Sequence, residues 1–280
     1  MKLAFLGAGR MAAAIARGAL DAHLCTPAEI RATARTEPTR AAFAKTVGLK
    51  DHAAEAAIQP ATENAQIAAA AEIVFLCVKP LDLVAVAREI APHLRADNQL
   101  LVSVAAGISL ADLQKAVGDA VPLVRVMPNT PALVGQGACA YARGATTTDH
   151  HTGLVEKIFG ALGEIHAIDE KLIDAVNGLS ASGPAYVFTV IEALADGGVL
   201  MGLPRVLAAS LATQTVLGAA ALVKETGHHP AQLRDAVASA GGTTMAGLEA
   251  LEAGGLRAAL IAAVRAGTVR ARGLGAGLPP

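Results

Sequence analysis

The chain opens on LAFLGAGRMAAAIARG, and this stretch limits the fold more than any other. Leu3 to Leu6 is an apolar run of strand length, Gly7-Ala8-Gly9 breaks it, and Met11 to Ala22 reads as a helix. A strand that turns at once into a helix begins a β-α-β unit. The small residues follow the order G-x-G-x-x-A. Gly7 permits the tight turn, Gly9 lets a phosphate approach the backbone, and Ala12 allows close packing of helix on strand. The first N–H groups of such a helix have no carbonyl partners and lie at its positive end. The pattern fits a dinucleotide cradle, with Gly7, Ala8, Gly9, Arg10 and Met11 as candidate contacts. The plainer alternative is a structural turn in an alanine-rich chain.

Strand and helix signals keep alternating after this start. Thr26-Pro27-Ala28-Glu29 reads as a capped short turn before a second strand, Ile30 to Thr33, and a helix follows at Thr39 to Val47. The segment 48–66 carries a weak strand near Ile58. Further strands are expected at 72–78, 100–104, 123–127, 138–141 and 165–168, with helices at 109–117 and 151–162. After Asp169 strand signals stop. Helices are expected at 183–201, 204–225, 230–238, 243–252 and 256–274, separated by Gly-Leu-Pro at Gly202 to Pro204 and by Gly227-His228-His229-Pro230. The expectation is an α/β domain with a mostly parallel sheet over residues 1–168, then an all-helical domain over 169–280.

Composition narrows the partners. Charged residues make up 17% of the 280 residues and the net charge is −1, so no electrostatic footprint for nucleic acid or an anionic membrane is present. No uncharged apolar stretch is expected to be long enough to span a membrane, because Glu192 and Asp196 interrupt the longest candidate. MKLAFLGAG runs directly into the first strand and is not read as a signal peptide. Cys25, Cys77 and Cys139 lack metal-ligand spacing, which fits a reduced, cytoplasmic protein without a metal. The adjacent pairs His150-His151 and His228-His229 are read as surface residues. Aromatics are only 2%, so a helical domain built from small side chains is expected to need a partner subunit to bury enough apolar area.

Two strand ends bear on the cofactor. An NAD enzyme places Asp or Glu at the end of the second strand, but this chain has Thr33-Ala34-Arg35-Thr36 with no acid before Glu37. Arg35 suits a 2′-phosphate, favouring NADPH with NADH as the alternative; otherwise Arg35 is a solvated surface residue. Val78, Lys79 and Pro80 end one strand, and Ala105, Ala106 and Gly107 follow the next. Both sets lie where the C-terminal edge of a parallel sheet faces a nicotinamide.

A second knot of small polar residues, SAGGTT at Ser239 to Thr244, precedes the apolar run MAGLEAL. A helix beginning near Thr243 offers free N–H groups and hydroxyls to an anion; a capped helix start with Thr as N-cap is the competing account.

The chain resembles the pyrroline-5-carboxylate reductases over nearly its whole length. The likeness is carried by LGAGRMA (6–12), CVKP (77–80), SVAAGIS (103–109), RVMPNTPALVGQG (125–137), SASGPAYVF (180–188), ALADGGVLMGL (193–203) and LRDAVASAGGTT (233–244). It implies NADPH-dependent reduction of Δ1-pyrroline-5-carboxylate to L-proline. It also implies a Rossmann-type doubly wound sheet followed by a helical dimerisation domain, assembled as a homodimer or higher homo-oligomer. It further implies Ser239, Gly242, Thr243 and Thr244 as ligands of the substrate carboxylate, Thr244 also near the imine nitrogen, and Asn64 near the adenosine ribose, where an ordinary surface turn is the alternative. Arg10, Leu81, Ala240 and the length of the 48–66 segment depart from the usual pattern. β-Hydroxyacid dehydrogenases share the layout but use a lysine in the helical domain. Here Lys171 and Lys224 lie outside any Gly-rich helix motif.

Overall fold

The computed structural model describes residues 1–49 and 57–275. Among the described residues eight strands form one sheet: β1 (Leu3–Leu6), β2 (Ile30–Ala34), β3 (Ile58–Pro60), β4 (Ile73–Leu76), β5 (Leu100–Ser103), β6 (Leu123–Met127), β7 (Gly137–Arg143) and β8 (Gly163–Ala167). Their order is β3-β2-β1-β4-β5-β6-β7-β8. Every neighbouring pair is parallel except β6 with β7. From β1 the chain winds outward to β3, then returns to lay β4 on the other side of β1. This reversal is the topological switch point at which doubly wound sheets open a crevice.

Alternation within each strand divides the core into two layers. Leu3 and Phe5 join one cluster with the helix Arg10–Asp21, the helix Glu37–Val47 and Phe159 of the helix Asp149–Gly160. Ala4 and Leu6 join the other, with Ile67, Leu83, Ala87, Ile90 and Leu113. Four of the five phenylalanines form a chain through the first layer: Phe5 stacks on Phe75 at 4.8 Å, and Phe43 and Phe159 flank the pair.

Two helices, Asn64–Ala70 and Pro80–Ile90, were not read from the sequence. Pro80 occupies the first turn of the second, a position that tolerates its missing N–H. Leu83, Ala87 and Ile90 then recur at helical spacing, and all three are buried. Of the 48–66 segment, residues 50–56 lie outside the described residues; the expected strand near Ile58 is β3.

The MPNTP turn has an architectural role. Asn129, 6% exposed, accepts from the Ala138 N–H at 2.9 Å and donates to the Ser180 carbonyl at 3.0 Å. Ser180 belongs to a π-helical turn, Asn177–Ala181, so Asn129 ties β7 to the segment that precedes the long helices. Arg125, 4% exposed, reaches Glu170 at 3.3 Å and Asp174 at 3.4 Å, and Glu170 also accepts from the Leu110 N–H.

The chain forms two compact units, 1–182 with 266–280, and 183–265. The strand-to-helix change after residue 168 is a change of secondary structure; compactness divides the chain at Ser182. The second unit contains the helices Gly183–Leu200, Arg205–Thr226, Pro230–Ala236 and Thr243–Ala253 and the first half of Leu256–Gly275. Its buried cluster is Ala195, Ala208 and Ala212, with Ile191 and Val199 beside it. Tyr186 donates to the Ala263 carbonyl at 3.2 Å and joins its first helix to its last.

One expectation needs correction. The longest uncharged apolar run is not the one interrupted by Glu192 and Asp196. It lies in Arg205–Thr226, which is long and apolar enough by length and composition to cross a membrane, and little of it is buried. Alanine and isolated Ser, Thr and Gln disguise that run, because no strongly hydrophobic block marks it.

Candidate functional site

The end of β1 is built for close approach. Gly7 has φ +98°, and a Cβ there would lie 2.8 Å from the backbone of Cys77 and Val78. The N–H groups of Gly7 and Ala8 both donate to the Thr33 carbonyl, which locks the turn to β2. Gly9 is the N-cap of the following helix and supplies no side-chain cap; a Cβ on it would project into open space. The N–H groups of that first turn therefore face no side-chain acceptor, and no acid neutralises the positive helix end. These features suit a pyrophosphate.

A cleft of about 670 Å³ opens at this switch point. Gly7, Ala8, Gly9, Arg35, Asn64, Val78 and Lys79 all line it. Its volume falls within the range of small-molecule and cofactor sites, roughly 300–1,000 Å³. Lys79 is the exposed N-cap of the Pro80–Ile90 helix, and Pro80 is that helix's first residue. Arg10 lines an adjoining groove with Ala8, Gly9 and Thr39. Met11 lies half-buried in the first helical turn. Ala105, Ala106 and Gly107 follow β5 at the same sheet edge but do not line the cleft, and Gly107 has φ +78°.

Asn64 is not an ordinary surface turn. It is 4% exposed and begins a helix. Thr33 donates to its side-chain carbonyl at 2.6 Å, and its amide donates to Glu89 at 3.3 Å. Thr33, Asn64 and Glu89 thus link β2 to the helices Asn64–Ala70 and Pro80–Ile90. Burial pushes the Cys77 thiol well up, so this cleft residue stays a neutral thiol.

In the second unit, Gly241 takes φ +65° and Gly242 is the N-cap of Thr243–Ala253. A Cβ on Gly242 would meet the Ser239 hydroxyl oxygen at 2.4 Å. The competing account of this stretch, with Thr as N-cap, is therefore not what forms. Thr243 and Thr244 are the first two helical residues, no side-chain cap is made, and the first turn holds no acid. This leaves a positive helix end beside two hydroxyls and the hydroxyl of Ser239.

Residues 170–274 match the family model for pyrroline-5-carboxylate reductase dimerisation, and residues 2–107 match that for NADP oxidoreductase, coenzyme F420-dependent. The chain is 46% identical to the pyrroline-5-carboxylate reductase of Pisum sativum, covering 97% of this chain and 95% of that one. It belongs to the pyrroline-5-carboxylate reductase family. The Escherichia coli member is 41% identical, with 93% of both chains covered. The crystal structure of the Plasmodium falciparum pyrroline carboxylate reductase with NADP bound superposes with a TM-score of 0.85 at 31% identity, covering 98% of each chain.

Sequence reasoning missed the far wall of the cleft. Asp82, Ala85, Val86 and Glu89 line it from the Pro80–Ile90 helix, and Ala61 and Thr62 line it beside Asn64. The signal was present in the 3- and 4-residue spacing of Leu83, Ala87 and Ile90, which puts Asp82, Val86 and Glu89 together on the adjoining face, about 100° round the helix. Among the described residues no group of three or more His, Cys, Asp or Glu is placed to hold a metal ion. His229 caps the Pro230–Ala236 helix by accepting from the Ala231 N–H.

Proposed function

We propose that this chain reduces the C=N bond of Δ1-pyrroline-5-carboxylate with NADPH to give L-proline, the last step of proline biosynthesis. It is an NAD(P)H oxidoreductase acting on a CH–NH group. The observation that carries the reading is the presence, in a chain of this family, of two separate anion cradles: the glycine turn at the switch point and the acid-free helix start at Thr243. A dinucleotide uses the first. A small carboxylate uses the second.

When bound, NADPH supplies a hydride to the imine carbon. The chain's own residues bind, orient and exclude water. Gly7, Ala8 and Gly9, whose N–H groups close the turn on the Thr33 and Gly7 carbonyls, would form the floor under the pyrophosphate, and Arg10 and Met11 would meet it with the N–H groups of the first helical turn. Arg35 would take the 2′-phosphate, Asn64 would lie near the adenosine ribose, and Val78, Lys79 and Pro80 with Ala105, Ala106 and Gly107 would border the nicotinamide half. Ser239, Gly242, Thr243 and Thr244 hold the substrate carboxylate, and Thr244 also stands by the imine nitrogen. No acid of unusual strength is required, because a cyclic imine can arrive protonated.

We assign residues 1–168 to cofactor binding and 169–280 to dimerisation and substrate binding. The working form is a homodimer or a larger homo-oligomer, in which a second copy covers the exposed face of the second unit; neither nucleic acid nor membrane is a partner. The free thiols of Cys25, Cys77 and Cys139 agree with a cytoplasmic setting.

The test is turnover. Purified protein should oxidise NADPH when given pyrroline-5-carboxylate and form proline in equal amount. A folded, NADPH-binding sample that shows no turnover overturns the reading.

A further inference from the structure

Among the described residues the cofactor cleft carries two cations and two acids: Arg35 and Lys79, Asp82 and Glu89. Glu89 is engaged with Asn64. Asp82 is engaged with Arg35. Its carboxylate lies 3.2 Å from the Arg35 guanidinium, with the two side chains 41% and 70% exposed. The partners come from opposite walls, Arg35 from the end of β2 and Asp82 from the first turn of the Pro80–Ile90 helix. Arg40, the neighbouring cation, is already held by Glu37 and the Ala34 carbonyl. Arg35 is the guanidinium that lines the cleft itself, and it already has a counter-ion.

We propose that Asp82 is a specificity-determining residue: it competes with the 2′-phosphate for Arg35 and so keeps the cleft able to accept NADH as well as NADPH. The proposal rests on the reading of Arg35 as the 2′-phosphate ligand. An ion pair this exposed is weak and screened, so a phosphate can draw Arg35 away. Doing so leaves a carboxylate next to a dianion, which penalises NADPH alone. NADH has no phosphate to repel, and its ribose hydroxyls can donate to a carboxylate. End-of-strand acids play that part in NAD enzymes. This chain has no acid at the end of β2 before Glu37, and Asp82 presents one from across the cleft.

Equilibrium binding of NADPH and of NADH, measured by titration calorimetry without substrate, tests this on the full chain. Asp82→Asn is nearly isosteric and sits at an exposed helix start, and a thermal melt checks that it folds. It should tighten NADPH by about threefold to fivefold, as expected for releasing an exposed ion pair, while NADH does not tighten. An unchanged or reduced preference for NADPH overturns the proposal. Arg35→Ala separates the two layers of the argument. If it leaves the cofactor preference unchanged, the 2′-phosphate reading fails and the proposal with it. If it lowers the preference while Asp82→Asn does nothing, the role of Asp82 alone fails. In the Arg35→Ala background the gain from Asp82→Asn should shrink, because only the carboxylate–phosphate repulsion is left to relieve; a gain that persists in full overturns competition through Arg35.

Discussion

Thr244 is the second residue of a helix whose first turn has no acid and no side-chain cap, so its hydroxyl is not committed to capping that helix. A carboxylate there would gain a hydrogen bond from the hydroxyl and the favourable end of the dipole. Hydrogen bonds to charged groups contribute about 1.5–3 kcal/mol. Thr244→Ala should therefore lower kcat/KM for pyrroline-5-carboxylate by roughly tenfold to a hundredfold, with NADPH affinity unchanged. Steady-state kinetics beside a cofactor titration would show it; equal losses in both would remove Thr244 from the substrate site. Such single-residue chemistry was legible where a motif fixes the backbone. Gly7 at φ +98° and Gly241 at φ +65° announce their turns because few other residues can occupy them, whereas Gly9 is legible only through the spacing of the motif. Asn64 was harder, because a lone asparagine does not reveal that Thr33 and Glu89 close on it from segments 31 and 25 residues away.

Among elements, the π-helical turn Asn177–Ala181 depends on a side chain distant in sequence. Asn129→Ala would remove the donor to the Ser180 carbonyl and leave the Ala138 N–H without its acceptor. The cost should be about 1–3 kcal/mol for the unsatisfied buried group. Thermal unfolding would register it, and hydrogen exchange should accelerate first in residues 177–182. Uniform protection across the chain would argue against this link. The strands were readable in sequence because each is a short, buried apolar run bounded by turn residues. The helix Pro80–Ile90 was not, because the proline that opens it also reads as a strand terminator. Its loss from the sequence reading hid one whole wall of the cleft, including Asp82 and Glu89.

The whole molecule leaves much apolar surface uncovered in its second unit. Val206 is 84% exposed and Leu200 80%, while the buried cluster consists of alanines. Small side chains allow the helices to approach closely; Gly198 meets Ala208 where a Cβ would stand 3.2 Å from that methyl. They also bury little area per residue, so a single copy of this unit gains limited hydrophobic stabilisation. We expect sedimentation to show a dimer or larger species at micromolar concentration. Leu207→Glu and Leu211→Glu, both on the exposed side of Arg205–Thr226, should shift it toward monomer and lower the melting temperature. A wild-type chain that sediments as a stable monomer would contradict this assignment of the exposed surface.

Some features follow from sequence because they are local. The G-x-G-x-x-A turn, the alternation of buried strands with helices, the switch to helices after residue 168 and the boundaries of the long helices depend on near neighbours and on backbone sterics. The family followed from motifs spread along the chain. Tertiary structure alone decided the strand order that places the glycine turn at a switch point, the far wall of the cleft, and the partners of Asn64, Asn129 and Arg35. Those contacts join segments tens of residues apart, and pairing at that range is set by how layers pack, which no local pattern encodes.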